Sequence, residues 1–158
     1  MIKDDPPAGT FGSFAAVLNF AIQQEIEAAE AYGRLAENSR LASAKALLLD
    51  MQREEKKHEE ILRDLAGGRL VPLFHQPVPD LMISDYVCEE PIDADSGIQD
   101  LLILAAKKEV KAAALYAELR ARVTDPESRR LFDFLIQEER EHKLRLEEEY
   151  ERHVLEED

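Results

Sequence analysis

The chain has 158 residues and a formal net charge of −14, which suits one domain around one core and excludes nucleic acid and anionic membrane surfaces as expected partners, because both would repel it. Apolar residues make up 45% and aromatics 6%, with few Gly and Pro and with Ala, Leu, Glu, Lys and Arg dominant, a composition that points to an all-helical protein. The single cysteine, Cys88, excludes an internal disulfide framework and a Cys₄ iron site on this chain. Met1–Pro7 lacks the basic and apolar regions of a signal peptide, and no apolar run reaches the roughly 18 residues of a membrane span, so a cytoplasmic location is expected.

The first helix is predicted from about Phe11 to Glu37, with Thr10 or Ser13 as its cap. The second follows the Asn38-Ser39 turn, runs from about Leu41 to Ala66 and stops at Gly67-Gly68. Residues 67–96 have a different character: Pro72, Pro77, Pro79 and Pro91 interrupt any helical period. A helix of about 25 residues spans roughly 38 Å, and an extended chain covers that in about 12 residues. This segment is therefore long enough to cross the whole bundle. The third helix is predicted after Asp95-Ser96 and runs to about Val123. The fourth spans about 125–155, with Thr124 able to cap it, Pro126 in its first turn and Glu127 closing a capping box. The expected architecture is two antiparallel helical hairpins joined by a long crossover, a single domain over residues 1–158.

The two halves repeat at a constant offset of 84 residues. Glu25 and Tyr32 of the first helix correspond to Glu109 and Tyr116 of the third. Glu55 and His58 of the second correspond to Glu139 and His142 of the fourth. A common offset for four separate features is hard to obtain from low-complexity helical sequence by accident.

Heptad rows place these residues inside. In the second helix Leu48, Glu55 and Leu62 form one row and Met51, His58 and Leu65 the other. In the fourth, Phe132, Glu139 and Leu146 align beside Leu135 and His142. Glu25 lies between Leu18 and Tyr32, flanked by Ile22 and Ala29, and Glu109 between Leu102 and Tyr116, flanked by Ala106 and Ala113. The midpoint of Glu25 and Glu55 falls at Arg40, in the predicted turn, and that of Glu109 and Glu139 at Thr124, the predicted cap. Each hairpin thus brings two Glu and one His to the same level.

Four buried carboxylates would be costly alone, since each desolvated ion costs several kcal/mol. Two divalent cations balance them, with neutral imidazoles as further ligands. One Glu from each of two helices and Glu-x-x-His from each of the other two is a di-metal carboxylate pattern. Mixed oxygen and nitrogen donors with open positions suit Fe or Mn redox chemistry better than a closed zinc site, although Zn could use the same ligands. Tyr32 and Tyr116 fit either as core fillers or as hydrogen-bond donors to a ligand Glu. Glu27, Glu30, Glu54 and Glu138 are expected as solvated flank residues. His75 and His153 are expected at the surface without partners, and Cys88 as a small packed residue.

With Glu25 and Tyr32, Glu55-Lys-Lys-His58, Glu109 and Tyr116, and Glu139-Arg-Glu-His142, the chain resembles the rubrerythrin-type branch of the ferritin-like di-iron carboxylate superfamily from about Phe11 to Leu155. The crossover phrase Ile83-Ser84-Asp85-Tyr86 is similar to this branch as well. The resemblance implies a ferritin-like four-helix bundle holding two Fe ions, Glu25 and His58 serving one, Glu109 and His142 the other, with Glu55 and Glu139 bridging. It implies reduction of peroxide or dioxygen, with electrons returned by an external donor because no rubredoxin-type Cys₄ domain is present, and a homodimer. Typical rubrerythrins carry an additional Glu where this chain has Ala112. Bacterioferritins share both Glu-x-x-His motifs, but Lys56 stands at their haem-binding Met position and no fifth helix follows, which disfavours iron storage in a cage. A non-catalytic bundle, in which the polar seam only sets helix register, is the third possibility.

Overall fold

The computed structural model describes residues 9–39, 42–68, 81–87 and 97–157. Among them are four long helices: α1 (Phe14–Asn38), α2 (Ala42–Ala66), α3 (Ile98–Arg122) and α4 (Pro126–Glu157). Each has an apolar stripe at helical spacing, such as Val17, Leu18, Ala21, Ile22, Ala29, Tyr32 and Leu35 on α1, and a helix with one such stripe must bury it against neighbours. The tightest packing is within the hairpins α1/α2 and α3/α4. No helix among the described residues is long and apolar enough to cross a membrane. The result is a four-helix bundle of two antiparallel hairpins, the ferritin-like fold that the resemblance implies.

The helix ends show which local signals operate. Ser13 caps α1, its hydroxyl accepting the Ala16 amide at 3.1 Å, so α1 begins later than the predicted Phe11. The reason is a non-local pairing. Thr10 forms an antiparallel bridge with Met82, and the Phe11 amide donates to the Leu81 carbonyl at 3.2 Å. That pairing holds Phe11 extended and buries its ring. At the end of α2, the Gly67 amide donates to Arg63 O at 2.8 Å and Gly68 takes a φ of +83°, a conformation that favours glycine. Asp125 caps α4 by accepting the Ser128 amide at 2.9 Å. With Pro126 as the first helical residue, the cap falls on Asp125 rather than on Thr124, and the third helical position is Ser128 rather than Glu127.

Of the crossover, residues 81–87 are described, with a short 3₁₀ turn at Ile83–Asp85. Leu81 and Tyr86 are buried in the core, and Lys111 on α3 donates to the Asp85 carbonyl at 3.0 Å. Pro72, His75, Pro77, Pro79, Cys88, Pro91, Asp95 and Ser96 lie outside the described residues.

The core has two apolar ends with a polar layer between them. One end joins the start of α1, the end of α2, the end of α3 and the start of α4, through Leu18, Leu62, Leu119 and Phe132. The other joins Leu35, Leu48, Met51, Leu102 and Leu146. The heptad rows read from the sequence are buried in all four helices, except that Ala106 is half-buried.

Candidate metal centre

The polar layer is built from six side chains that the helical seams force inward. Glu25, Glu55, His58, Glu109, Glu139 and His142 are each between 0% and 3% exposed, an unusual degree of burial for ionisable groups. Their positions follow from the rows: each Glu or His replaces an apolar residue in a stripe whose neighbours one heptad away are packed in the core.

The six form two overlapping groups. Ligand atoms of Glu25, Glu55, His58 and Glu139 lie within 4.8 Å of one another, as do those of Glu55, Glu109, Glu139 and His142. Glu55 and Glu139 belong to both groups. His58 Nδ1 is 2.8 Å from Glu139 Oε1 and 3.6 Å from both Glu25 and Glu55. His142 Nδ1 is 2.5 Å from Glu55 Oε1, 3.6 Å from Glu109 and 3.8 Å from Glu139. The two imidazoles stack with ring centroids 5.7 Å apart. The tyrosines cross between hairpins: the Tyr32 hydroxyl donates to Glu109 and the Tyr116 hydroxyl to Glu25. Of the two roles open for Tyr32 and Tyr116, both operate, since each ring is buried in an apolar cluster and each hydroxyl holds a carboxylate.

The cluster's electrostatics are those of a site short of positive charge. Burial alone would lower the His58 pKa, but the close carboxylates of Glu25 and Glu55 outweigh it and raise it to about 10. Burial is likewise outweighed at His142, where Glu109 and Glu55 raise the pKa to about 11. Burial pushes Glu55 well above the carboxylate range, and the charges of Glu25 and Glu109 push it further. Burial does the same to Glu139, with Glu109, Glu25 and Glu55 adding to it. Burial would raise Glu25, but its contacts with Glu55 and His58 lower it instead. Burial raises both tyrosines well above their ordinary value, aided by neighbouring carboxylates, so their hydroxyls stay protonated and act as donors.

The donor set fits a pair of divalent metals. Glu25 Oε2 and Glu109 Oε2 are buried without a hydrogen bond, and a buried unsatisfied group costs about 1–3 kcal/mol. They belong one to each of the two groups above, and each offers a lone pair to a cation. Two cations sharing Glu55 and Glu139 would satisfy them together and offset the four carboxylate charges.

A cavity of about 40 Å³ lies between α1 and α3 beside the carboxylates, lined by Ala21, Ala28, Ala31, Ala105 and Ala112 together with Glu25, Glu55, Glu109, Glu139, Tyr32 and Tyr116. That is room for a few water-sized molecules. Neither histidine lines it.

Of the residues expected to be solvated flanks, Glu54 takes part and its repeat counterpart Glu138 does not. Glu54 Oε2 is 2.5 Å from His142 Nε2, and Arg145 Nη1 reaches the same carboxylate at 3.1 Å. Burial works against the Glu54 charge, but His142 and Arg145 lower its pKa. Glu138 stands 3.8 Å from His58 Nε2. Both are only half-buried. The available sequence signal was that they are a repeat pair, each immediately preceding a core Glu. Glu27 and Glu30 are exposed, as expected. His153 is not a surface residue without a partner: it is half-buried, one turn along α4 from the buried Glu149 and 3.4 Å from it.

The sequence matches the rubrerythrin family over residues 16–150. No curated protein matches it. Among solved structures, a hypothetical protein from Pyrococcus furiosus is 33% identical, with a TM-score of 0.69 covering 88% of this chain and 89% of that one. An uncharacterized conserved protein from Magnetospirillum magnetotacticum is 28% identical, with a TM-score of 0.64 covering 89% and 95%. A candidate ferritin-like diiron-carboxylate protein from Thermotoga maritima is 22% identical and shares the fold, with a TM-score of 0.73 covering 87% and 93%.

Proposed function

The chain belongs to the rubrerythrin family, and from that premise we propose that it is a di-iron redox protein that reduces peroxide or dioxygen with electrons from a separate partner protein. The observation that carries this reading is the pair of buried donor groups sharing Glu55 and Glu139, set against a cavity of about 40 Å³ that admits only small molecules. Glu25 and His58 would hold one metal, Glu109 and His142 the other, and Glu55 and Glu139 would bridge them.

Reduction of peroxide to two waters consumes two electrons and two protons, and a pair of ferrous ions held by these residues would supply the electrons. The protein's own residues do the rest. The Tyr32 and Tyr116 hydroxyls hold one oxygen of Glu109 and of Glu25, leaving the other oxygen of each for a metal. Both tyrosines line the cavity, so a proton donor stands beside a small oxidant on either side. Alanine side chains line the wall of the cavity and leave room for a small molecule beside the carboxylates. The electrons would come from a separate partner protein.

Anaerobic stopped-flow mixing of the di-ferrous protein with hydrogen peroxide tests this reading. The expected result is oxidation of two irons per chain, much faster than that of free ferrous iron under the same conditions. Oxidation no faster than the free ion would overturn it.

A further inference from the structure

The internal repeat makes each hairpin a control for the other. Within the cluster the correspondence is close: Tyr32 and Tyr116 reach across to Glu109 and Glu25 in the same way. On the outer side of the imidazoles it fails. His142 Nε2 lies 2.5 Å from Glu54 Oε2, and Arg145 Nη1 anchors that carboxylate at 3.1 and 3.4 Å. The counterpart of Glu54 is Glu138, and it stands 3.8 Å from His58 Nε2, beyond hydrogen-bond reach. His58 Nε2 is buried and has no hydrogen-bond partner. The counterpart of Arg145 is Ile61, so no equivalent cation anchors Glu138, and the ring of Phe134 packs edge-on against His58, centroids 6.3 Å apart, where the repeat would place Asp50.

A histidine that binds a metal through Nδ1 carries its proton on Nε2. A carboxylate accepting that proton fixes the tautomer and ring orientation and makes Nδ1 a better donor, and loss of such a partner typically costs about 10–100-fold in metal affinity. Only His142 has this partner. We propose that Glu54, anchored by Arg145, is a positioning residue that makes the two metal positions unequal, so that the position of Glu109 and His142 fills before that of Glu25 and His58. This rests on reading the cluster as a two-metal centre, but not on the reaction it performs.

Crystals of the chelator-treated protein grown with one equivalent of Mn²⁺ per chain test the order directly. Anomalous scattering is expected to place most of the metal at the Glu109 and His142 position. Equal occupancy, or an excess at His58, overturns the inference while leaving the two-metal reading intact. No metal at either position overturns both. In solution, Co²⁺ titration followed by visible absorption with chelator competition should show two steps separated by about tenfold or more. In Glu54→Gln the steps should merge through weakening of the tighter one. Glu138→Gln should leave both unchanged. An unchanged separation in Glu54→Gln overturns the role of Glu54. The wild-type occupancy measurement decides the order of filling even if the variant folds poorly.

Discussion

Metal removal makes the stability of this fold depend on pH in an unusual direction. Without metal, the charge of the buried carboxylate cluster is met by two imidazolium groups, with the His58 pKa near 10 and the His142 pKa near 11 against about 6.5 in an unfolded chain. A group whose pKa is raised by folding contributes stability that is fully present below its unfolded value and is lost as pH rises through its folded value. Each histidine charged in the fold and neutral in the unfolded chain costs about 1.4 kcal/mol per pH unit. From pH 7.5 to 9.5 the loss is up to about 5 kcal/mol for two histidines, and about half that if the cluster retains a single shared proton. Glu55 and Glu139, also raised, act in the same sense from the carboxylate range upward. Glu25, lowered, acts oppositely, and its contribution is complete by neutral pH. With a urea slope of about 3 kcal/mol per molar, the upper end of the usual range as suits a chain of this size, the midpoint of the chelator-treated protein should fall by about 1–2 M across this range. Metal-loaded protein should hold its midpoint, because Nδ1 then carries a metal instead of a proton. Denaturation followed by circular dichroism at several pH values, with and without metal, provides the measurement. A metal-free midpoint that is flat or rises between pH 7.5 and 9.5 refutes the account of the cluster as proton-compensated.

Other consequences follow from the shared carboxylates and the cavity. Glu55→Ala or Glu139→Ala removes a member of both donor groups and should abolish binding of both metals by elemental analysis, whereas Glu25→Ala should retain about one per chain; equal losses in all three would argue against bridging. Tyr32→Phe leaves a buried oxygen of Glu109 unsatisfied, and should lower metal-free stability by about 1–3 kcal/mol and metal affinity by about tenfold. Tyr116→Phe should do the same through Glu25; an effect on stability without one on affinity would make these tyrosines core residues only. Ala112→Leu places a larger side chain at the wall of the cavity and should slow oxidation of the loaded protein by peroxide at least tenfold with metal content unchanged; an unchanged rate would show that the oxidant reaches the cluster by another path.

Most of the inner cluster was legible because burial and helical geometry impose it one helix at a time. A Glu in line with Leu48 and Leu62 has no route to solvent, and a hairpin with its turn near Arg40 must bring Glu25 and Glu55 to one level. Features missed by such reading depend on contacts between distant segments. Phe11 continues the apolar spacing of α1, yet the strand-like pairing of Thr10 with Met82 holds it out of the helix. Glu54 sits one residue from Glu55, so helical rotation turns it off the seam, and its own helix marks it as a solvated residue. Its role comes from His142 and Arg145 on α4, and no periodicity within α2 encodes them. The repeat itself misleads at this point. It assigns Glu54 and Glu138 equivalent positions, and the backbone gives them equivalent positions, but the residue one turn beyond each histidine decides whether the carboxylate is anchored: Arg145 after His142 and Ile61 after His58. The repeat of the hairpin accounts for a symmetric cluster of donors. In the proposed two-metal centre a difference between the metals then arises from residues that differ between the repeats, and those touching the imidazoles from outside are able to produce it without disturbing the ligands themselves.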